Sequence, residues 1–143
     1  MKYVVAHRGL SSKAPENTFD SFDLAISTGS KYIEFDVHLS KDNEVVIIHD
    51  DTVDRTSNGE GKVNSKSLEE LKKLDFGSWF SSNYTGAKIP LLKDVLNKYR
   101  DISFVIEIKG NQEYLVQKVM EIIGNNEYWK EKLLKSENDE PDI

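Results

Sequence analysis

The chain has no cysteine, and only 3 prolines and 8 glycines among its 143 residues. Without cysteine there is neither a disulfide nor a thiolate metal site, which fits a reducing compartment. Positive charge is the minority sign: 19 Lys+Arg stand against 25 Asp+Glu, for a formal net charge of −6. Such a balance excludes a general electrostatic pull toward nucleic acid or anionic lipid and leaves room for a local basic pocket. Long apolar runs are missing too. The run that opens the chain, Tyr3 to Ala6, is too short for a secretory signal, and nothing approaches the ~20 apolar residues of a membrane span. These features predict one soluble, cytoplasmic domain with no nucleic-acid partner and no membrane span.

What the chain does have is a pair of acids inside an apolar strand. Glu34 and Asp36 stand two apart among Ile33, Phe35 and Val37. In a strand, residues two apart point to the same side of the sheet. Two carboxylates on one face repel each other unless a proton or a cation sits between them. Glu107 repeats the device in a second apolar run, Phe104 to Lys109, read as a buried strand, with Lys109 two residues on. Three acids on two strands make a shared oxygen-rich site, and oxygen ligands select hard cations, Mg²⁺ or Ca²⁺ first.

The rest of the pattern places these strands. Tyr3 to Ala6 is a strand stopped by His7, Arg8 and Gly9. Asn17 or Thr18 is an N-cap for a helix carrying Phe19, Phe22, Ala25 and Ile26, with Gly29 as its stop. Lys31 to Leu39 and Val45 to Ile48 are two further strands. A parallel pair needs a crossover of about a dozen residues, so the short link between these two predicts an antiparallel hairpin turning at Asp42–Asn43. That turn sets Asp36 opposite Ile48 and brings His49 beside the acids. From Asp50 to about Lys88 the chain is polar, with turn residues at Asn58 to Gly61, a capping box opening at Ser67, and an apolar patch of Phe76, Trp79, Phe80 and Tyr84. Pro90 fits the first turn of a helix bearing Leu92, Val95, Leu96 and Tyr99. Leu115, Val119, Ile122 and Ile123 mark another helix ending at Gly124. Strands alternating with helices predict an α/β fold.

His7 and His49 each follow an apolar strand, where a loop displays them, and histidine suits proton transfer near neutral pH. One can act as base while the other protonates a leaving alkoxide. The remaining histidine, His38, reads as structural or exposed. Arg8 offers a planar fork and Lys109 a point charge for phosphate oxygens.

As an ordered set, His7–Gly9, Ala14–Thr18, Glu34–Val37, His49–Thr52, Asp54–Thr56, Asn58–Gly61, Leu74–Trp79 and Ile106–Lys109 resemble the glycerophosphodiester phosphodiesterase family over roughly residues 2–123. The resemblance implies a TIM-type (β/α) barrel with the site at the C-terminal ends of the strands. It implies a divalent metal on Glu34, Asp36 and Glu107, an acid/base pair of His7 and His49, and phosphate contacts from Arg8 and Lys109. It also implies glycerophosphodiester substrates, such as glycerophosphocholine and glycerophosphoethanolamine, hydrolysed to glycerol 3-phosphate and an alcohol.

A complete (β/α)8 barrel needs about 250 residues, so 143 residues hold roughly the first three βα units, with the hairpin and an insertion at about 51–88 after the second strand. Residues 1–124 are expected to form this partial barrel and 125–143 an irregular acidic tail. Either the chain is a piece of a longer enzyme or it assembles with another chain, and an open barrel edge favours self-association. Two further readings stay open: an inactive metal- or phosphate-binding interaction module of the same family, and a glycosidase using two of the carboxylates, which the histidines and cations fit poorly.

Overall fold

The structure, a computed structural model, describes residues 5–108 and 113–138, with the backbone alone for 133–138. Strand β1 (Val5–His7) is followed by helix α1 (Phe19–Ser27), strand β2 (Tyr32–Leu39) and the short strand β3 (Val45–Ile47). Helices α2 (Leu68–Lys72) and α3 (Leu92–Lys98) precede strand β4 (Ser103–Ile108), and helices α4 (Glu113–Gly124) and α5 (Glu127–Asn138) follow it.

β2 is the axis of the sheet. It runs parallel to β1, with Val5 opposite Tyr32 and His7 opposite Glu34. It also runs parallel to β4, with Tyr32 opposite Ser103 and Val37 opposite Ile108. β3 pairs with it antiparallel, Val37 opposite Ile47, and the Ile48 N–H donates to the Asp36 carbonyl at 3.0 Å. The hairpin register is therefore the one that the Asp42–Asn43 turn predicts, with Asn43 left-handed at φ 63°. Because β4 pairs with one side of β2 from Tyr32 to Val37, β1 and β3 lie end to end along the other.

One face of this sheet builds the core. Ile33, Phe35 and Val37 of β2 pack with Phe22 and Ala25 of α1, Leu92, Val95 and Leu96 of α3, and Leu115 and Val119 of α4. Each fully buried side chain of this size is worth about 1.5–3 kcal/mol. Thr18, not Asn17, caps α1 through a reciprocal capping box with Ser21. Pro90 lies before the N-cap Leu91 of α3 rather than inside its first turn, and its carbonyl accepts from the Ile47 N–H at 2.9 Å.

β3 separates two cores by the same alternation. Val45 and Ile47 face the first core; Val46 and Ile48 face a second, built with Val53, Val63, Leu71, Phe76, Ile89 and Leu91 of the insertion. Ser67 opens α2 with the predicted capping box. At Gly77 an added Cβ would collide with the Tyr84 carbonyl, so only glycine fits that turn. Of the predicted aromatic patch, Phe76 enters the second core, whereas Trp79, Phe80 and Tyr84 meet edge to face, and the Tyr84 hydroxyl donates to the Lys13 carbonyl at 3.1 Å.

Two expectations are corrected. Ser103–Ile108 is not a buried strand: Phe104, Ile106 and Ile108 are half-buried against the helices, while Ser103, Val105 and Glu107 are exposed. Nor is the chain irregular from residue 125, since Glu127–Asn138 is helical. Among its described side chains, the contact with the core is one aromatic residue: Trp129 packs on Phe104 with ring centroids 5.2 Å apart and donates its indole N–H to the Leu96 carbonyl at 2.7 Å. Asn126 caps it by accepting from the Trp129 N–H. A cleft of about 280 Å³ lies beneath α5, lined by Leu96, Phe104, Ile106, Ile123 and Trp129; this is the helix-facing side of β4, opposite to Glu107.

Candidate active site

The other face of the sheet carries the acids. Alternation along β2 turns Glu34 and Asp36 away from the core, and the β2–β4 register sets Glu107 directly beside Asp36. Carboxylate oxygens of the three lie within 4.8 Å of one another. Their burial falls off across the sheet: Asp36 is 0% exposed, Glu34 half-buried and Glu107 exposed.

The oxygens are incompletely satisfied by the protein. Asp36 Oδ2 accepts from the Asn17 amide at 3.2 Å and lies 3.7 Å from Arg8 Nε, but Asp36 Oδ1 has no hydrogen-bond partner. Glu34 Oε1 is 3.1 Å from His7 Nε2, yet lacks hydrogen-bond geometry. A bare buried carboxylate oxygen costs several kcal/mol in desolvation unless something compensates it. A hard divalent cation fits this all-oxygen donor set and its two unsatisfied atoms.

Loops place the remaining groups. His7 ends β1 opposite Glu34 and is exposed. Arg8 then adopts a left-handed backbone (φ 59°), followed by Gly9 at φ 79°. That conformation is uncommon for a side-chain-bearing residue and costs energy. It is held by the Arg8 N–H donating to the Glu34 carbonyl at 2.7 Å and by the Arg8 carbonyl accepting from the Asn17 N–H at 2.9 Å. Asn17 is also left-handed, at φ 55°, which turns its amide onto Asp36.

His49 follows the Asp36–Ile48 backbone bond. Its carbonyl accepts from His38 Nε2 at 3.0 Å, which gives His38 the structural role expected of it. His49 Nδ1 lies 2.8 Å from Asp50 Oδ1. Asp50 in turn accepts from Arg55 Nε at 2.9 Å and Nη2 at 3.1 Å. The same guanidinium grips Glu16 in a bidentate pair at 2.8 and 2.9 Å, and Glu16 reaches Arg8 Nη1 at 3.3 Å. Arg55, against the cost of burial, and with help from His49, holds the Asp50 carboxyl down at about 2. Burial pushes Glu16 up, but Arg55, Arg8 and His49 together outweigh it and leave Glu16 below the usual carboxylate range.

The structure thus brings Glu34, Asp36 and Glu107 together, sets His7 on Glu34 and Arg8 beside Asp36, and connects His49 to Arg8 through Asp50, Arg55 and Glu16. Lys109 lies outside the described residues. Asn17, Glu16, Asp50 and Arg55 escape the residue-by-residue reading. Their signal is their place in the Ala14–Thr18, His49–Thr52 and Asp54–Thr56 motifs, where Asn17 reads only as a helix cap.

Comparison with known proteins identifies the family. The glycerophosphoryl diester phosphodiesterase family model matches residues 7–138. A glycerophosphodiester phosphodiesterase of Caldanaerobacter subterraneus subsp. tengcongensis is 48% identical over 106 residues, covering 74% of this chain and 44% of its own length. The crystal structure of a glycerophosphodiester phosphodiesterase from Agrobacterium tumefaciens superposes with a TM-score of 0.83 at 39% identity, over 90% of this chain and 55% of that one. An Oleispira antarctica phosphodiesterase in complex with the product sn-glycerol-3-phosphate matches with a TM-score of 0.81 at 36% identity, over 88% of this chain and 53% of that one. The chain spans about half the length of the relatives it matches. The sheet and its helices are part of a TIM-type (β/α) barrel, with the hairpin and insertion after the second strand. Among the described residues, no helix is long and apolar enough to cross a membrane.

Proposed function

Because the chain belongs to the glycerophosphoryl diester phosphodiesterase family, we propose that it hydrolyses a glycerophosphodiester to glycerol 3-phosphate and an alcohol, using a divalent metal held by Glu34, Asp36 and Glu107. The observation that carries this reading is the meeting of three carboxylates, two of which have a buried oxygen left bare by the protein. Mg²⁺ or Ca²⁺ in that position supplies positive charge to the phosphoryl oxygens. Arg8 binds the phosphate through its planar fork, steadied by Glu16 on one side, and Lys109 adds a second cation. His7 and His49 divide the proton transfers: one takes a proton from the attacking hydroxyl or water, and the other gives one to the departing alcohol oxygen. The glycerol 3-phosphate product of the Oleispira relative supports the same product here, with glycerophosphocholine and glycerophosphoethanolamine as the substrates to try. A cytoplasmic setting belongs to this proposal on the ground of the cysteine-free composition.

One observation favours a second reading. Glu107 and Val105 are exposed on β4, in a chain that spans 44% of a curated relative. A chain open on this side binds metal or phosphate without turnover, or associates with itself through β4. The experiment is release of glycerol 3-phosphate from glycerophosphocholine by the purified chain, with Mg²⁺ or Ca²⁺ and then with excess chelator. Chelator-sensitive release, lowered about 100-fold or more by His7→Ala or His49→Ala, supports the hydrolase. Metal binding in calorimetry with no release would move the assignment to the binding module.

A further inference from the structure

We infer that Asp50 is a positioning residue that decides which ring nitrogen of His49 faces the substrate, with Arg55 locking Asp50 and Glu16 tying that lock to Arg8. The inference rests on the reading of His49 as a proton-transfer residue. It starts from the contact between His49 Nδ1 and Asp50 Oδ1 at 2.8 Å. Both Asp50 oxygens already accept from Arg55, at 2.9 and 3.1 Å, so the carboxylate is ionised. An ionised carboxylate only accepts. The shared hydrogen therefore sits on Nδ1, and Nε2 is left with a free lone pair while the ring is neutral.

The second anchor is the backbone. The His49 carbonyl accepts from His38 Nε2 at 3.0 Å, and its neighbour Ile48 is bonded to Asp36. Main chain and ring are thus held independently, and rotation about the side chain has one favoured outcome. Arg55 is committed on both sides, since its two terminal nitrogens donate to Glu16 at 2.8 and 2.9 Å. It has no donor pair left for a phosphate, which separates its role from that of Arg8. When Nε2 takes a proton, the imidazolium is balanced by the Asp50 anion, which itself stays unprotonated.

The test is ¹⁵N NMR of the folded chain labelled at histidine, with His7, His38 and His49 assigned by single replacement. At a pH where its ring is neutral, the wild-type His49 is expected to show a protonated Nδ1 and a pyridine-like Nε2. In Asp50→Asn the Nε2–H form becomes populated, and Asp50→Glu, which keeps the anion, restores the wild-type pattern. On glycerophosphocholine, Asp50→Asn lowers kcat about 10- to 100-fold with KM within about twofold. A wild-type His49 with its hydrogen on Nε2, or an Asp50→Asn variant that keeps the wild-type tautomer, would overturn the inference. The nitrogen signals need no turnover, so an inactive wild-type chain would count against the hydrolase reading while the tautomer still decides this one.

Discussion

The two faces of the β1–β2–β4 sheet use neighbouring residues for opposite purposes. Toward the helices, Ile33, Phe35 and Val37 are buried among side chains from three helices. Away from them, His7, Glu34, Asp36, Val105 and Glu107 alternate with that core, residue by residue. Stability and chemistry are thus separated by strand parity alone, and a one-residue slip of β2 would exchange them. The acid-bearing face is itself uneven. On its β1 and β3 flank, a chain of ion pairs runs from Arg8 through Glu16, Arg55 and Asp50 to His49. On its β4 flank, Val105 is 49% exposed.

The sharpest way to break this contrast is to cut the helix-facing side. Phe35→Ala removes a ring with no exposed surface that packs on Phe22 and Phe104. A buried Phe→Ala change costs about 3–5 kcal/mol, much of the stability of a small domain. Chemical denaturation followed by circular dichroism is expected to show a lost or strongly shifted transition. A near-wild-type midpoint would mean that the helix-facing side is not where the fold is held.

The middle-sized effect comes from the ion-pair chain. Arg55→Gln leaves Glu16 and Asp50 without their shared cation, and with a half-exposed guanidinium the loss is about 1 kcal/mol at neutral pH. The sign of its pH dependence follows from Asp50, whose carboxyl is lowered from an ordinary 3.8 to about 2 by Arg55. A lowered folded value means stabilisation that is full above the unfolded value and lost as pH falls through the folded one. The gap between wild type and Arg55→Gln is therefore constant above about pH 5 and closes between pH 4 and 2. Thermal melts across that range check it, and a gap that widens on acidification would place the stabilising charge elsewhere.

How far these features were legible in the sequence depends on the range of the contact. The Glu34–Asp36 pairing and the Asp36–Ile48 register follow from strand alternation and one turn, which are local rules. The exposure of Glu107 does not follow, because burial on β4 depends on what covers its outer side rather than on its own apolar pattern. Helix α5 does not follow either, because among its described side chains Trp129 alone packs on the core, and one aromatic residue marks no helical face. The link between Arg55 and Glu16 spans 39 residues and exists only once the insertion has folded against the loop after β1. The sequence marks both residues as parts of motifs but carries no rule that pairs them.

The smallest expected effect lies on the β4 flank. Val105→Thr keeps a β-branched side chain of nearly the same shape and replaces a methyl by a hydroxyl. Inside a packed core that exchange is costly, because the hydroxyl loses its hydration. On a strand position half open to water the hydroxyl stays hydrated, and surface changes of this kind fall within about 0.5 kcal/mol. Denaturation midpoints of the two proteins should coincide, and they should do so at every protein concentration. A cost well above 1 kcal/mol that grows with protein concentration would mean that a second copy covers Val105 in solution. The contrast between a tied flank and an open one would then hold for the single chain but not for the assembled protein.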